Sequence, residues 1–267
     1  MLAFNYLGKM GQLGNQMFQY AATRGIAAKK GYDFCIPNHN EIFDDGIGNK
    51  LKIELFNCFE LSNLKSVGFL HNGHAPMVQE KYYHFDQQLL DLCPDEISLV
   101  GYFQSEKWFN HIESSIRQDF KFINQILEPC KEMISSLKDP LALHIRRGDF
   151  LINSARHHNL SLDYYSNALK KFKSDRQVII FTDDPKWCNE QNIFSDDRFL
   201  ISEGSSNYVD MCLMSMCSSH IIANSSFSWW GAWLAKSKKV IAPKIWFGEE
   251  LKSNDTKDLY PESWETI

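Results

Sequence analysis

At 267 residues, with 44% hydrophobic and 23% charged side chains, the chain has room for one large or two small domains with an ample core. A net charge of −5 and a pI near 6.0 exclude a general attraction to nucleic acid, so any anion site must be local. The seven cysteines make no Cys-x-x-Cys pair and no zinc spacing with histidine, and their odd count and scatter fit buried thiols in a reducing compartment.

Residues 1–7 predict a short strand, followed by the Gly-rich turn from Gly8 to Gly14. A helix is expected from Asn15 to about Lys30, with Phe18, Ala21, Ala22 and Ile26 near helical spacing and Gly31 as its stop. A second strand over 32–36 completes a β-loop-α-β opening, the unit of a parallel sheet. Residues 37–97 read less clearly, with aromatic runs near 53–59 and 81–85 set among polar loops. A strand at 98–103 and one or two helices over 111–138 lead to Pro140, which marks a boundary. The second half alternates more cleanly. Strand 141–146, helix 161–173, strand 177–182 and a short helix from Pro185 come first. Helix 207–217, strand 220–223, helix 227–235 and strand 239–243 follow, which predicts a second doubly wound unit. The last residues are expected to pack back as a helix.

Several of these strand ends carry side chains that a core does not need. The apolar run 141–145 delivers His144, Arg146, Arg147 and Asp149 to its carboxyl end, the edge at which open α/β sheets bind ligands. Paired guanidinium forks suit a phosphate, because each donates two parallel charge-assisted hydrogen bonds. The alternative is a surface ion cluster that pairs with itself. Asp149 could orient an arginine or accept a proton. The turn Gly11-Gln12-Leu13-Gly14-Asn15-Gln16 follows a strand and opens a helix, as phosphate-cradling loops do, but its glycine spacing fits neither standard nucleotide fingerprint. Asn15 either caps that helix or touches a ligand. Asp183 and Asp184 invite a magnesium reading, set against capping of the helix begun by Pro185. The stretch Asn224-Ser225-Ser226-Phe227 runs from a strand straight into a serine-rich helix start, where free N–H groups and hydroxyls converge on a point suited to an anion. Plain N-capping by Ser225 or Ser226 would look the same. Asp210, early in the preceding helix, could cap it or accept from the N1–H and N2–H₂ edge of guanine.

Together, segments 11–21, 144–149, 181–185 and 224–234 occur in the order and rough spacing of the α-1,2-fucosyltransferases, glycosyltransferase family 11, and the chain resembles that family over most of its length. The arginine-bearing strand and the serine-rich helix also resemble the donor sites of α-1,6- and protein O-fucosyltransferases. The resemblance implies a GT-B-like α/β fold, two Rossmann-type halves facing across a cleft. Residues 1–138 would bind the acceptor and residues 139–267 would bind GDP-fucose. It implies inverting transfer of L-fucose from GDP-β-L-fucose to the 2-hydroxyl of a galactose-containing glycan, without a metal and with no cofactor besides the donor.

Position by position, Arg146 matches the arginine that holds the donor's β-phosphate, with Arg147 assisting. His144 and Asp210 match residues that read the guanine. Asn224, Ser225, Ser226 and Phe227 fall on the loop that holds phosphate and nucleoside. Asn15 matches an asparagine near the reacting centre, and Asp149 has a family counterpart whose role as base stays open. No window of about 18 residues is wholly apolar, and no membrane anchor of the animal Golgi type is evident. A bacterial or viral cytoplasmic enzyme is therefore expected, with no transmembrane segment; peripheral contact with a membrane surface is compatible with this. Two rivals stand beside this reading. One is a fucosyltransferase of the same scaffold with another linkage or acceptor. The other is a catalytically silent module that binds a sugar nucleotide or a glycan.

Overall fold

Short apolar runs become parallel strands in both halves of the chain. The computed structural model describes residues 1–46, 48–202 and 206–267. Two units are formed, Met1–Ile123 with Asn254–Pro261, and Asn124–Ser253 with Glu262–Ile267.

The sheet of the first unit has five parallel strands in the order Ser66–Val67, Phe34–Ile36, Leu2–Ala3, Ile97–Val100 and Met77–Gln79. The helix Leu13–Lys30 is buried on nearly every side from Leu13 to Ala27. Its interior polar groups must therefore find partners within the protein. Gln16 donates to Lys52 O at 2.7 Å and accepts from Glu54 N at 2.9 Å, tying the helix to the 52–54 segment. Arg24 pairs with Asp119, which also accepts from the Tyr20 hydroxyl at 2.6 Å and from the backbone and side-chain N–H groups of Asn63. The helix stops where expected. Gly31 takes a φ of 69°, the left-handed turn that glycine adopts without strain, and Lys29 and Lys30 occupy the last turn beside the free carbonyls.

The strand expected at 98–103 ends earlier, at Val100, because Gly101 and Phe103 turn the chain with φ of 153° and 53°. The stretch that read less clearly holds the hairpin Phe43–Asp44 with Lys50–Leu51 and two of the sheet's outer strands. Pieces of two or three residues are too short to display a period.

The second unit carries six parallel strands in the order Phe199–Ile201, Val178–Thr182, Leu141–Ile145, Ser219–Ile221, Val240–Ala242 and Glu265–Thr266. Leu141, Leu143, Ile145, Val178, Ile180, Ile221 and Ile241 build its core against Tyr165 and Ala168 of the helix Leu162–Leu169. Burial of each such aliphatic chain favours folding by roughly 1.5–3 kcal/mol. From the central 141–145 strand the chain runs outward first to one side, through 178–182 to 199–201. It then runs to the other side, through 219–221, 240–242 and 265–266. The order reverses between 141–145 and 219–221, and a crevice outside the carboxyl ends of the strands is expected there.

Two details of the layout differ from expectation. The helix Asn124–Ile134 belongs to the second unit, so the division falls at Ile123/Asn124, ahead of the break expected near 138. The end of the chain is a strand rather than a helix, with Glu265 and Thr266 pairing with Ile241 and Ala242. All seven cysteines are free and buried. Among the described residues no helix is long and apolar enough to cross a membrane.

Candidate functional site

At the switch point of the second sheet, the carboxyl end of strand 141–145 meets the start of the helix Ser226–Leu234. The His144 ring lies 5.7 Å from that of Phe227, centroid to centroid. His144 is 6% exposed, and burial, with Arg146 adding to it, pushes the imidazole pKa down to about 3. The ring is therefore neutral at physiological pH. Its Nδ1 is buried with no hydrogen-bond partner among the described residues. A buried polar atom left without a partner costs about 1–3 kcal/mol, which a bound polar group facing it would recover.

Arg146 emerges one residue later, held by two carboxylates. Its Nη2 lies 2.7 Å from Asp149 Oδ1 and its Nη1 3.1 Å from Asp183 Oδ2. Its guanidinium also lies over the Phe150 ring, 5.7 Å from the centroid, and the His157 ring stacks on Phe150 with centroids 4.1 Å apart. Asp183 is braced in turn, since its Oδ1 accepts the Arg147 N–H at 2.9 Å. Gly148 makes this close approach feasible, because a Cβ there would sit 2.8 Å from Asp183 Oδ2. The guanidinium is thus fixed in position while part of it stays open to solvent, with its side chain 23% exposed.

Arg147 points its charge elsewhere. Its Nε binds Asp184 Oδ2 at 3.0 Å, and its guanidinium carbon stacks 3.9 Å from the centre of the Trp187 ring. Asp184 caps the helix Pro185–Asn189 by accepting the Trp187 N–H at 3.1 Å, and the hydrogen bond from Arg147 holds its carboxyl below the usual range. Both aspartates of the pair thus serve arginines and a helix cap. Among the described residues no group of three or more His, Cys, Asp or Glu is gathered as a metal would need.

Ser225 caps the 226–234 helix, its Oγ accepting the Phe227 N–H at 3.3 Å. Ser226 opens the helix, where the backbone N–H has no intrahelical acceptor. Asn224 does a different job from the one expected. It is 4% exposed, and its Nδ2 donates to His158 O at 2.9 Å and to Trp246 O at 2.8 Å, which ties two loops together and uses both side-chain N–H groups. Asp210 lies in the first turn of the helix Asn207–Met216, whose cap is Ser206 rather than Asp210. Its Oδ1 accepts from Ser202 Oγ at 2.6 Å, just past strand 199–201, and burial pushes its carboxyl pKa up.

Asn15 belongs to the first unit. It does not cap its helix, because the cap position is Gln12. Instead its Oδ1 accepts from Gln104 Nε2 at 2.7 Å. The structure therefore brings His144, Arg146, Asp149 and Phe227 together and shows Arg147 and Asn224 in supporting contacts. Residues that sequence reasoning missed are Asp183 as the second holder of Arg146, and Phe150, His157, Trp187 and Gln104. The parallel register pairs Ile145 with Thr182, so Arg146 and Asp183 are successors on neighbouring strands. That adjacency was the available signal.

Comparison with known proteins gives a match to the family model of glycosyl transferase family 11 over residues 4–267. An alpha-1,2-colitosyltransferase from Escherichia coli is 32% identical over 291 residues, covering 96% of this chain and 96% of the relative. The O-antigen biosynthesis glycosyltransferase WbnK, also from Escherichia coli, is 29% identical over 293 residues, covering 94% of this chain and 97% of the relative. Among solved structures, POFUT1 in complex with GDP-fucose superposes with a TM-score of 0.56 at 13% identity, over 88% of this chain and 94% of that one. At that identity the likeness speaks for the fold, which is GT-B-like.

Proposed function

The chain belongs to glycosyltransferase family 11, and from that premise we propose that it moves L-fucose from GDP-β-L-fucose to the 2-hydroxyl of a terminal galactoside, inverting the anomeric centre in one displacement. The observation that carries this reading is Arg146, held by Asp149 and Asp183 at the switch point beside a capped helix start. Negative charge develops on the departing β-phosphate in such a transfer. A fixed guanidinium and the first-turn N–H groups of the 226–234 helix would stabilise it. This is the work a metal ion does in other transferases, and here the reaction runs without one. Asp149 gives one oxygen to Arg146 and so orients the arginine, and the acceptor proton goes to a carboxylate on the attacking face, opposite the departing phosphate. His144, with Asp210, reads the base, and Ser225, Ser226 and Phe227 hold phosphate and nucleoside. The second unit binds the donor and the first unit, with Asn15, the acceptor. Seven buried free thiols support a cytoplasmic location.

The 32% identity to a colitosyltransferase favours one further reading, a donor that carries a deoxy sugar other than fucose. The deciding experiment incubates the protein with GDP-fucose and a panel of galactosides, measuring GDP release and the linkage of the product. Release that depends on a galactoside, with a 1→2 product, supports fucosyl transfer. Release only with another GDP-deoxy sugar selects the second reading, and donor binding without release from any of them selects a silent module.

A further inference from the structure

We propose that Gln104 fixes the amide of Asn15 in one orientation, with its NH₂ turned toward the sugar substrates, and so acts as a positioning residue for transfer. The inference rests on the reading above that places Asn15 near the reacting centre. The first unit has a switch point of its own. Strand 2–3 lies between 34–36, which follows it directly, and 97–100, reached after the chain has crossed to the other side. The segment after strand 97–100 carries Gln104, and the helix after strand 2–3 carries Asn15, so the two side chains meet at the carboxyl edge of neighbouring strands.

Four features hold this pair. Gln104 is 7% exposed, and its Oε1 accepts from the Tyr83 hydroxyl while its Nε2 donates to Asn15 Oδ1 at 2.7 Å. The turn that presents Gln104 is clamped by Glu80, whose two carboxylate oxygens accept the N–H groups of Tyr102 and Phe103 at 2.8 and 2.9 Å. Gln19, from the helix that bears Asn15, donates to Gly101 O at 3.2 Å, so turn and helix are joined a second time. On its other side the Asn15 amide nitrogen lies against the α-carbon of Gly11, where a Cβ would overlap it. Gly11 has a φ of 85°, a conformation that favours glycine.

A side-chain amide has one end that accepts and one that donates. With Tyr83 donating to Gln104 and Gln104 donating to Asn15, the direction of the relay is set, and Asn15 is left with a donor to offer. Its chemical target is an oxygen of a sugar substrate. Gln104→Glu keeps the acceptor for Tyr83 but offers Asn15 only an oxygen. It should turn the Asn15 amide over and present a carbonyl to the substrate.

The experiment measures steady-state transfer for Gln104→Glu, Gln104→Ala, Asn15→Ala and the Asn15→Ala/Gln104→Glu double variant. Thermal melts report folding. Gln104→Glu should lower kcat roughly 10²-fold, as misplacement of a positioned group does, with donor KM unchanged; Gln104→Ala, which removes the partner without reversing the amide, should lose less. Added to Asn15→Ala, Gln104→Glu should bring no further loss, because it acts through the missing amide. Wild-type-like kcat for Gln104→Glu overturns the proposal, and so do losses that multiply in the double variant. Independently of turnover, the Asn15 side-chain NH₂ pair, identified by its loss in Asn15→Ala, should move in the ¹H–¹⁵N spectrum of Gln104→Glu; an unmoved pair also overturns it. If the wild-type protein transfers no sugar, the functional reading falls, and the spectrum still decides whether the relay exists.

Discussion

Replacing Arg146 by alanine tests the proposed chemistry at its centre. In the wild-type protein one guanidinium answers two carboxylates, Asp149 at 2.7 Å and Asp183 at 3.1 Å, while part of it stays open. Loss of a donor aimed at developing negative charge typically lowers kcat by roughly 10²–10³, or about 2.7–4 kcal/mol of barrier. Arg146 is the cation to which the proposed function assigns the leaving phosphate, so the upper end of that range is expected. The cost in stability should be smaller. Asp149 and Asp183 are 16% and 24% exposed and so partly solvated, which places the loss of their shared cation between exposed and buried ion pairs, about 1–3 kcal/mol. At roughly 2–4 °C per kcal/mol, the melting temperature should fall by several degrees and leave a folded protein at 25 °C. Lysine at this position keeps the charge but has one nitrogen where two are in use, and it should rescue folding better than turnover. The assay is galactoside-dependent GDP release at saturating donor, with circular dichroism melts in parallel. A folded Arg146→Ala protein with wild-type kcat would refute the assignment of the leaving-group clamp.

Transfer should continue in excess EDTA, measured by the same release assay; a loss that added Mg²⁺ restores would return Asp183 and Asp184 to consideration as metal ligands. Stability should fall as pH drops from 7 toward 4.5, in part through His144. Its folded pKa of about 3 lies below the unfolded value near 6.5, so its contribution is full above pH 6.5 and is lost as pH falls toward 3. Between pH 7 and pH 5 this amounts to on the order of 2 kcal/mol. His144→Phe should therefore show a shallower fall in melting temperature over that range, and parallel curves for the two proteins would contradict the burial argument. Asn224→Ala strands the carbonyls of His158 and Trp246, each costing about 1–3 kcal/mol if left unpaired. It should lower the melting temperature and leave donor KM unchanged, whereas a raised KM in a protein of normal stability would make Asn224 a donor contact.

The second unit was legible because its strands are buried apolar runs punctuated by Pro140, Pro185 and the helix-starting serines, and each signal is local. The helix 13–30 was equally clear in its extent, but not in the work its polar residues do. Gln16 and Gln19 sit in the same motif as Asn15, yet they bind backbone carbonyls of distant loops. No property of a glutamine announces that partner. The Asp183 contact to Arg146 depends on strand order and register, and the Gln104 contact to Asn15 crosses 89 positions of chain. Arg147 illustrates the converse limit. Next to Arg146 in sequence, it leaves the strand end in another direction, to Asp184 and Trp187. The two guanidinium groups share a motif but no carboxylate, and only the Arg147 backbone N–H joins Arg146 at Asp183. The first unit's outer strands escaped notice because two or three residues of strand, such as Ser66–Val67 and Met77–Gln79, carry no readable alternation.

The order in which the chain visits its units has a consequence for exchanging parts between relatives. The polypeptide crosses from one unit to the other at Ile123/Asn124, crosses back at Ser253/Asn254, and returns at Pro261/Glu262 for a closing strand. A single splice near the middle would hand over a first unit without residues 254–261, and a second unit still carrying a segment that folds elsewhere. A chimera that swaps acceptor preference between two transferases of this layout needs three junctions. Lys107, paired with Asp258 at 2.6 Å, then has to be transplanted together with the returning segment it grips.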